Sequence, residues 1–250
     1  MWRYVNTRWL VTGDSISKGI VFDDDRNRYV VLHDNYIQLA FDELDVSVAN
    51  VSRFGRTIDR GLETLKRDVL KHQPDNVLVG YGGNDCDFDW DAIARDPHQD
   101  HKPRTELNRF RDVLSGTVKD LQNSGITPVL MTLPPLEPDR YFGWITRNNP
   151  EKAERILLWL RSVTRIYWWQ ERYNSVITRI AIKTGSLLVD MRAAFLQQPD
   201  LLPYICQDGI HPNQLGHRLM AEAFIASMND KQSAPPLPAP APKRCLGCTA

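Results

Sequence analysis

The amino-acid sequence predicts an α/β fold: a three-layer α/β/α domain whose central layer is a five-stranded parallel sheet. Short strand-like segments alternate with longer helical ones, which is typical of parallel strands joined by right-handed crossovers. The segments VLVGY and PVLMTL are almost continuously apolar, as expected for strands buried on both faces. Polar, glycine-rich clusters follow several of these segments, at the edge where such sheets bind ligands.

Five segments rich in valine, leucine and isoleucine are predicted as the strands of this sheet: residues 8–12, 46–51, 76–81, 127–132 and 186–190. Apolar residues at steps of three and four indicate helices between them. The predicted helical regions are residues 57–72, 105–124, 151–184 and 213–228. The segments 87–104 and 133–150 are interpreted as long loops at strand ends, where loops often shape binding sites.

The composition predicts one globular domain over residues 1–230. The chain has 250 residues, of which 42% are hydrophobic and 25% charged, and this length supports a core without disulfides or a metal. Residues 231–250 contain the proline-rich run APPLPAPAPK and are interpreted as a disordered extension.

The charge balance argues against polyanionic partners. Thirty-one basic and 31 acidic residues give a formal net charge of zero, so neither nucleic acid nor an anionic membrane is expected as the main partner. The first ten residues lack the apolar stretch of a signal peptide, which favours a cytoplasmic location. The sequence does not indicate an oligomeric state.

The residues at the strand ends include the parts of a nucleophilic triad. Ser15 follows the first strand, and His211 lies three residues after Asp208 near the end of the chain. A serine hydroxyl needs a base to remove its proton, and an imidazole base needs a third group to orient it. These residue types predict Ser15 as nucleophile, His211 as base and Asp208 as its partner, with a rate that rises through about pH 6–7.

Acyl transfer also requires hydrogen-bond donors for the developing oxyanion. The candidates are the backbone N–H groups of Ser15 and Gly55 and the side-chain amide of Asn84, which follow the first three predicted strands. No G-x-S-x-G motif occurs in the chain, which argues against the α/β-hydrolase version of this chemistry.

Four blocks carry a family resemblance: GDSIS at 13–17, the glycine at 55 after Asn50, GGND at 82–85 and DGIH at 208–211. In this order they resemble the SGNH (GDSL-type) hydrolase family over about residues 8–228. The resemblance implies a flavodoxin-like sheet and ester hydrolysis through an acyl-enzyme, without metal or organic cofactor. It implies the same triad, with Gly55 and Asn84 completing the oxyanion hole.

Aromatic residues near the strand ends are expected to line a substrate cleft: Phe88, Trp90, Tyr141 and Trp144. Sugars and aryl groups stack on such walls, which favours a short acyl ester, such as acetyl on a carbohydrate, as the substrate. Two alternatives stay open. One is a lysophospholipase or thioesterase with longer acyl specificity, and the other is a catalytically silent carbohydrate-binding protein on the same fold.

Several other polar residues are interpreted as structural. Asp14 is expected to be structural, as a cap of the helix after the first strand, and Asp85 is expected to hold its turn. The acidic run DFDWD at 87–91 is expected to be a solvated turn because it lacks the EF-hand glycine and glutamate. The pair His98 and His101 does not match a zinc-hydrolase helix.

The four cysteines are expected to be reduced. Cys86 and Cys206 are interpreted as small buried thiols that lie near the site, with oxidation sensitivity as the alternative. Cys245 and Cys248 form a C-x-x-C pair in the proline-rich extension, and no second pair completes a zinc site.

Overall fold

A computed structural model describes residues 7–230, and its central element is a five-stranded parallel sheet. Two further short strands form a separate antiparallel hairpin. In chain order the strands are β1 (Arg8–Gly13), β2 (Ile20–Asp23), β3 (Arg28–Val31), β4 (Ser47–Asn50), β5 (Asn76–Gly80), β6 (Thr127–Met131) and β7 (Leu187–Val189). The main sheet has the order β4-β1-β5-β6-β7. This confirms the predicted fold class, and each of its strands lies within one residue of its predicted bounds.

Helices cover both faces of the sheet and its carboxyl edge. They are α1 (Ser15–Lys18), α2 (Tyr36–Glu43), α3 (Ile58–Leu62), α4 (Leu65–His72), α5 (Trp90–Arg95), α6 (Leu107–Asn123), α7 (Pro138–Thr146), α8 (Pro150–Leu160), α9 (Thr164–Thr184), α10 (Met191–Leu196) and α11 (Gln214–Asn229). A 3₁₀ turn lies at Leu202–Tyr204. Within the described residues, none of these helices is long and apolar enough to cross a bilayer.

Two of the predicted helical regions are broken. The region 151–184 divides into α8 and α9 because Arg161 adopts a left-handed backbone conformation (φ +66°) that ends α8. The region 57–72 divides into α3 and α4. Ile58 and Leu65 are both buried on the same side of the sheet. The apolar stripe therefore continues from α3 into α4, so the break between the two helices cannot be seen in the periodicity of the sequence.

Some structure lies where loops or no element were expected. Helix α7 occupies much of the segment 133–150, with Pro138 in its first turn, and α5 lies within 87–104. The hairpin β2–β3 and helix α2 were not predicted. The hairpin strands are partly exposed and include the charged residues Asp23 and Arg28, so they lack the continuous apolar run by which strands of the main sheet are predicted.

The core has two layers because alternate strand residues face opposite sides of the sheet. In β1, Trp9 and Val11 pack with residues of α2 and α11, whereas Leu10 packs on the other side with residues of α6 and α9. A third, largely aromatic cluster includes Phe88, Trp90 and residues of α7, α8 and α9. The predicted extension at 231–250, including Cys245 and Cys248, lies outside the described residues.

Candidate active site

The three residues predicted as a triad form a continuous hydrogen-bonded chain. His211 Nε2 lies 2.8 Å from Ser15 Oγ, and His211 Nδ1 lies 2.5 Å from Asp208 Oδ2. All three side chains are buried. The arrangement joins residues 196 positions apart in sequence, because Ser15 follows β1 and the Asp208–His211 loop lies at the carboxyl end of the same sheet.

Backbone geometry displays Ser15 at the start of α1. The Asp14 side chain caps the helix by accepting a hydrogen bond from Ile16 N (3.0 Å). At Gly13, a Cβ atom would lie 2.8 Å from the Gly80 carbonyl oxygen on the neighbouring strand and 2.7 Å from Ser17 Oγ. Only glycine therefore allows the chain to leave β1 closely enough to β5 to form this turn.

The loop that carries Asp208 and His211 also depends on a glycine. Gly209 has φ +76°, and a Cβ atom there would lie 2.4 Å from Tyr141 N on α7. Asp208 Oδ1 accepts hydrogen bonds from the backbone N–H groups of Ile210 and His211, each at 3.1 Å. The same carboxylate therefore shapes the loop through Oδ1 and holds the imidazole through Oδ2.

The electrostatics of Asp208 favour the charged form. Burial opposes ionisation, but the hydrogen bond from the His211 ring and the two backbone N–H groups outweigh it, so the pKa of Asp208 lies below its ordinary value. A charged Asp208 can hold the proton of His211 on Nδ1. That tautomer leaves Nε2 free to accept the proton of Ser15.

The predicted oxyanion donors border the same cavity as Ser15. A cavity of about 650 Å³, here called the main cavity, is lined by Ser15, Gly55, Asn84 and His211 among others. Gly55 has φ +70°, and no atom lies within 4 Å of the position that a Cβ would occupy. The structure thus brings these three predicted positions to one cavity, with open space above Gly55.

All four predicted aromatic residues line the main cavity. Phe88, Trp90 and Tyr141 are almost fully buried, and Trp144 is partly exposed. Trp169 on α9 lines the cavity too, whereas the neighbouring Trp168 is 50% exposed and points elsewhere. Sequence reasoning missed Tyr29 and Phe54, which lie on the hairpin and the loop after β4 and also line the cavity.

The interpretation of the DFDWD run as a solvated turn is wrong for Asp87. Its carboxylate is only partly exposed at the cavity wall and accepts hydrogen bonds from Tyr141 Oη (2.7 Å) and Trp90 Nε1 (2.8 Å), with Arg104 at 3.3 Å. Burial raises the pKa of Asp87. Asp89 instead caps α5, and Asp91 pairs with Lys152 at 2.7 Å.

The remaining predicted positions have structural contacts. Cys86 and Cys206 are free, buried thiols, and Cys86 also lines the main cavity. His101 Nε2 contacts the Asp96 carbonyl oxygen at 2.7 Å. No group of three histidine, cysteine or acidic residues within 7–230 is arranged to hold a metal ion.

Comparison with known proteins decides the family. The sequence model of the GDSL-like lipase/acylhydrolase family matches residues 11–219. The chain belongs to this family. Membership confirms the predicted resemblance and the enzyme class, a serine carboxylic ester hydrolase.

Two curated relatives of this GDSL-family chain differ in their named activities. An acetylxylan esterase from Geobacillus stearothermophilus is 25% identical over 200 residues, which cover 79% of this chain and 78% of the relative. Thioesterase 1/protease 1/lysophospholipase L1 from Escherichia coli K12 is 26% identical over 228 residues, or 90% and 83% of the two chains.

Solved structures show the same fold. A lipase/acylhydrolase from Enterococcus faecalis aligns with a TM-score of 0.63 and 20% identity over 89% of this chain and 95% of that chain. An acetylxylan esterase from Geobacillus stearothermophilus aligns with a TM-score of 0.59 and 22% identity over 90% and 95%.

In this GDSL-family chain, Tyr29 contacts the Asp208 carboxylate. Its hydroxyl donates to Asp208 Oδ2 at 3.1 Å, and its ring packs on His211 with centroids 5.2 Å apart. Tyr29 lies on β3, 179 positions before Asp208. Sequence reasoning could not find this contact because only the folded hairpin brings the two residues together.

Tyr29→Phe should lower kcat/KM by about three- to tenfold, because Asp208 loses one donor worth about 1 kcal/mol while the ring packing stays. Ester hydrolysis measured across pH 5–9 gives kcat/KM and shows whether the low-pH side of its pH profile has moved. Tyr204→Phe is the matched control, since among residues 7–230 the Tyr204 hydroxyl bonds to Gln198 and makes no hydrogen bond to the relay. Equal activity of the two variants would show that the Tyr29 hydroxyl does not support the relay.

Asp14 carries an electrostatic cost. Burial raises its pKa to about 7, although the Ile16 N–H, the His211 charge and the Asn84 amide act in the opposite direction. The folded protein therefore binds a proton that the unfolded chain has lost between about pH 4 and 7. The proton bound to Asp14 therefore contributes to the free energy of unfolding at low pH, and this contribution is lost as the pH rises from about 4 to 7.

Asp14→Asn should remove this dependence, because the amide keeps an oxygen for Ile16 N and does not titrate. Between pH 5 and pH 8, the free energy of unfolding of the variant should gain about 2–3 kcal/mol relative to wild type. Urea unfolding at both values measures it. The control is Asp120→Asn, which removes an exposed carboxylate on α6 and should keep the wild-type pH dependence. If the free energy of unfolding of Asp14→Asn changed between pH 5 and pH 8 by the same amount as that of wild type, the prediction would be contradicted.

Proposed function

We propose that this GDSL-family enzyme hydrolyses short-chain, acetyl-type esters on carbohydrate through an acyl-enzyme at Ser15. The observation that carries the proposal is the unbroken relay from Asp208 through His211 to Ser15 Oγ at the wall of an aromatic cavity. The substrate of the enzyme is accordingly a small-molecule or glycan ester that fits the main cavity of about 650 Å³.

The mechanism uses each residue in turn. His211 Nε2 removes the proton from Ser15 Oγ as the oxygen attacks the ester carbonyl carbon. The backbone N–H groups of Ser15 and Gly55 and the Asn84 amide donate to the resulting oxyanion. His211 then protonates the leaving alcohol, activates a water for attack on the acyl-enzyme, and returns the proton to Ser15, while Asp208 stabilises its charged form.

The cavity walls support a sugar as the alcohol part of the substrate. Trp144 offers a partly exposed aromatic face, and the partly buried hydrogen-bond network of Asp87 adds polar atoms to the cavity lining. Sugar rings present both apolar faces and hydroxyl groups, which suits such mixed walls. The name of the Geobacillus relative, an acetylxylan esterase, supports the same reading.

The longer-chain alternative has its own support. The Escherichia coli relative is named a thioesterase and lysophospholipase, and Phe88, Leu136 and Ile166 give the main cavity apolar surface. The silent carbohydrate-binding alternative is disfavoured, because a binding protein has no need for a serine, imidazole and carboxylate at hydrogen-bond distance.

Hydrolysis of 4-nitrophenyl acetate, butyrate and octanoate, together with acetate release from acetylated xylo-oligosaccharides, tests the proposal. We expect kcat/KM to fall with chain length and acetate to be released. A preference for octanoate without acetate release would favour the longer-chain alternative and overturn the proposal.

Asn84→Ala should lower kcat about 10²–10³-fold with little change in KM, because an oxyanion donor acts in the transition state. Steady-state kinetics on 4-nitrophenyl acetate measure both constants. Asn123→Ala is the control, since Asn123 is the exposed last residue of α6 and lies outside the main cavity. An unchanged kcat in Asn84→Ala would remove Asn84 from the proposed oxyanion hole.

A further inference from the structure

A second groove borders the main cavity. It has a volume of about 700 Å³ and lies between the loop 97–103 and the neighbouring parts of α6, α8 and α9. We call it the basic groove. Trp169 belongs to the lining of both the basic groove and the main cavity. The main cavity and the basic groove therefore share this indole as a wall.

The groove concentrates positive charge in a chain whose formal net charge is zero. Its basic lining residues are Lys102, Arg161, Arg165 and Arg172, and its acidic ones are Asp100 and Glu106. Lys102 is paired with Asp100 at 3.4 Å. Within the described part of the chain, the three arginines have no carboxylate within salt-bridge distance, so their charge is available to a ligand.

Tryptophan rings hold the central guanidinium group in place. Arg172 lies 4.4 Å from the ring centroid of Trp169 and 5.0 Å from that of Trp168. Arg165 approaches the same Trp168 ring at 6.0 Å and also donates to the Leu160 carbonyl oxygen. A guanidinium group fixed in this way loses less conformational freedom when it binds an anion, and its planar fork matches a carboxylate.

We propose that the basic groove binds the carboxylate of an acidic sugar in the alcohol part of the substrate, next to the sugar whose acetyl group reaches Ser15. This inference rests on the proposed function and narrows its substrate class to esters of acidic glycans. Arg165 and Arg172 contact the carboxylate. The groove adds affinity for a part of the substrate that does not react. Removing the charge of its arginines therefore lowers kcat/KM for acidic substrates selectively.

The test compares two disaccharides of xylose and glucuronic acid, both acetylated on the xylose. One keeps the free carboxylate, and the other carries a primary carboxamide in its place. We expect wild-type kcat/KM to be about tenfold higher for the carboxylate, and this ratio to fall toward one in about 0.5 M NaCl because salt screens the pairing. A ratio near one at low salt would overturn the inference.

Variants of the groove locate the effect. Arg165→Gln and Arg172→Gln should each reduce the ratio to about two- to threefold, since each removes one charged donor. The matched control is Arg179→Gln, which removes an exposed arginine from the same helix, two turns beyond Arg172 and outside the groove, and should keep the ratio. The inference fails if neither groove variant changes the ratio.

Direct binding separates this inference from the proposed function. The deacetylated carboxylate and carboxamide disaccharides are titrated into Ser15→Ala by calorimetry, which needs no hydrolysis. Tighter binding of the carboxylate supports the groove even if the acetyl ester is not cleaved, and equal binding overturns it. Stronger competition by a phosphate monoester of the same disaccharide would overturn the assignment to a carboxylate.

Discussion

Ser15→Ala should lower kcat/KM for 4-nitrophenyl acetate by about 10⁴-fold or more. The hydroxyl is the atom that His211 Nε2 contacts at 2.8 Å, and without it the proposed acyl-enzyme cannot form. The variant should remain folded, because Ser15 is the first residue of α1 and the helix cap is made by Asp14. Rates measured at high enzyme concentration with purified protein determine the residual activity.

Ser17→Ala is the matched control for this loss. Ser17 lies on the same short helix and is also buried, but its hydroxyl is 2.9 Å from Tyr36 Oη and makes no contact with the imidazole. It should retain most of the activity and lose about 1 kcal/mol of stability. If Ser15→Ala and Ser17→Ala lost activity to the same extent, the loss would reflect damage to α1 and would not support a nucleophile at Ser15.

Asp208→Asn should lower kcat by about 10³–10⁴-fold through a change of tautomer. The amide oxygen can still accept the N–H groups of Ile210 and His211, so the loop keeps its shape. The amide nitrogen, however, donates toward His211 Nδ1 and places the imidazole proton on Nε2. A protonated Nε2 cannot accept the proton of Ser15, and the charge that stabilises the imidazolium is also lost.

Asp200→Asn is the control that separates the loss of the charged partner of His211 from the loss of any carboxylate that accepts a backbone N–H group in a turn. Asp200 also accepts a backbone N–H, that of Leu202 at 3.0 Å, but it is exposed and does not contact the relay. It should keep wild-type kcat, and thermal unfolding should show both variants folded. A kcat within threefold of wild type in Asp208→Asn would mean that another group orients His211.

The sequence predicted the main sheet closely because its strands are buried on both faces. Segments such as Asn76–Gly80 and Thr127–Met131 are apolar at nearly every position, and so short and continuous a run is typical of a strand in a parallel sheet. Elements at the periphery carried weaker patterns. The break at Arg161 lies within an amphipathic stripe, and α7 follows a proline-rich segment that favoured a loop.

The site residues were predicted from local motifs at the ends of strands, and the structure brings them together because those strand ends share one edge of the sheet. Ser15, Gly55, Asn84 and the Asp208–His211 loop each follow a strand or precede a helix at one edge of a parallel sheet, so the positions of the strands determine that they converge. The sequence by itself therefore determined the fold class, the family and the residues of the relay.

The tertiary structure alone decided the surroundings of that relay. Tyr29 contacts Asp208 across 179 residues of sequence, and Asp87 joins a partly buried network because the fold places the Tyr141 hydroxyl within hydrogen-bond distance of it. The basic groove likewise unites the loop 97–103 with arginines of α8 and α9. No spacing in the chain encodes these contacts. They depend on how helices and a hairpin pack around the sheet, and that packing is set by the shapes of many side chains together.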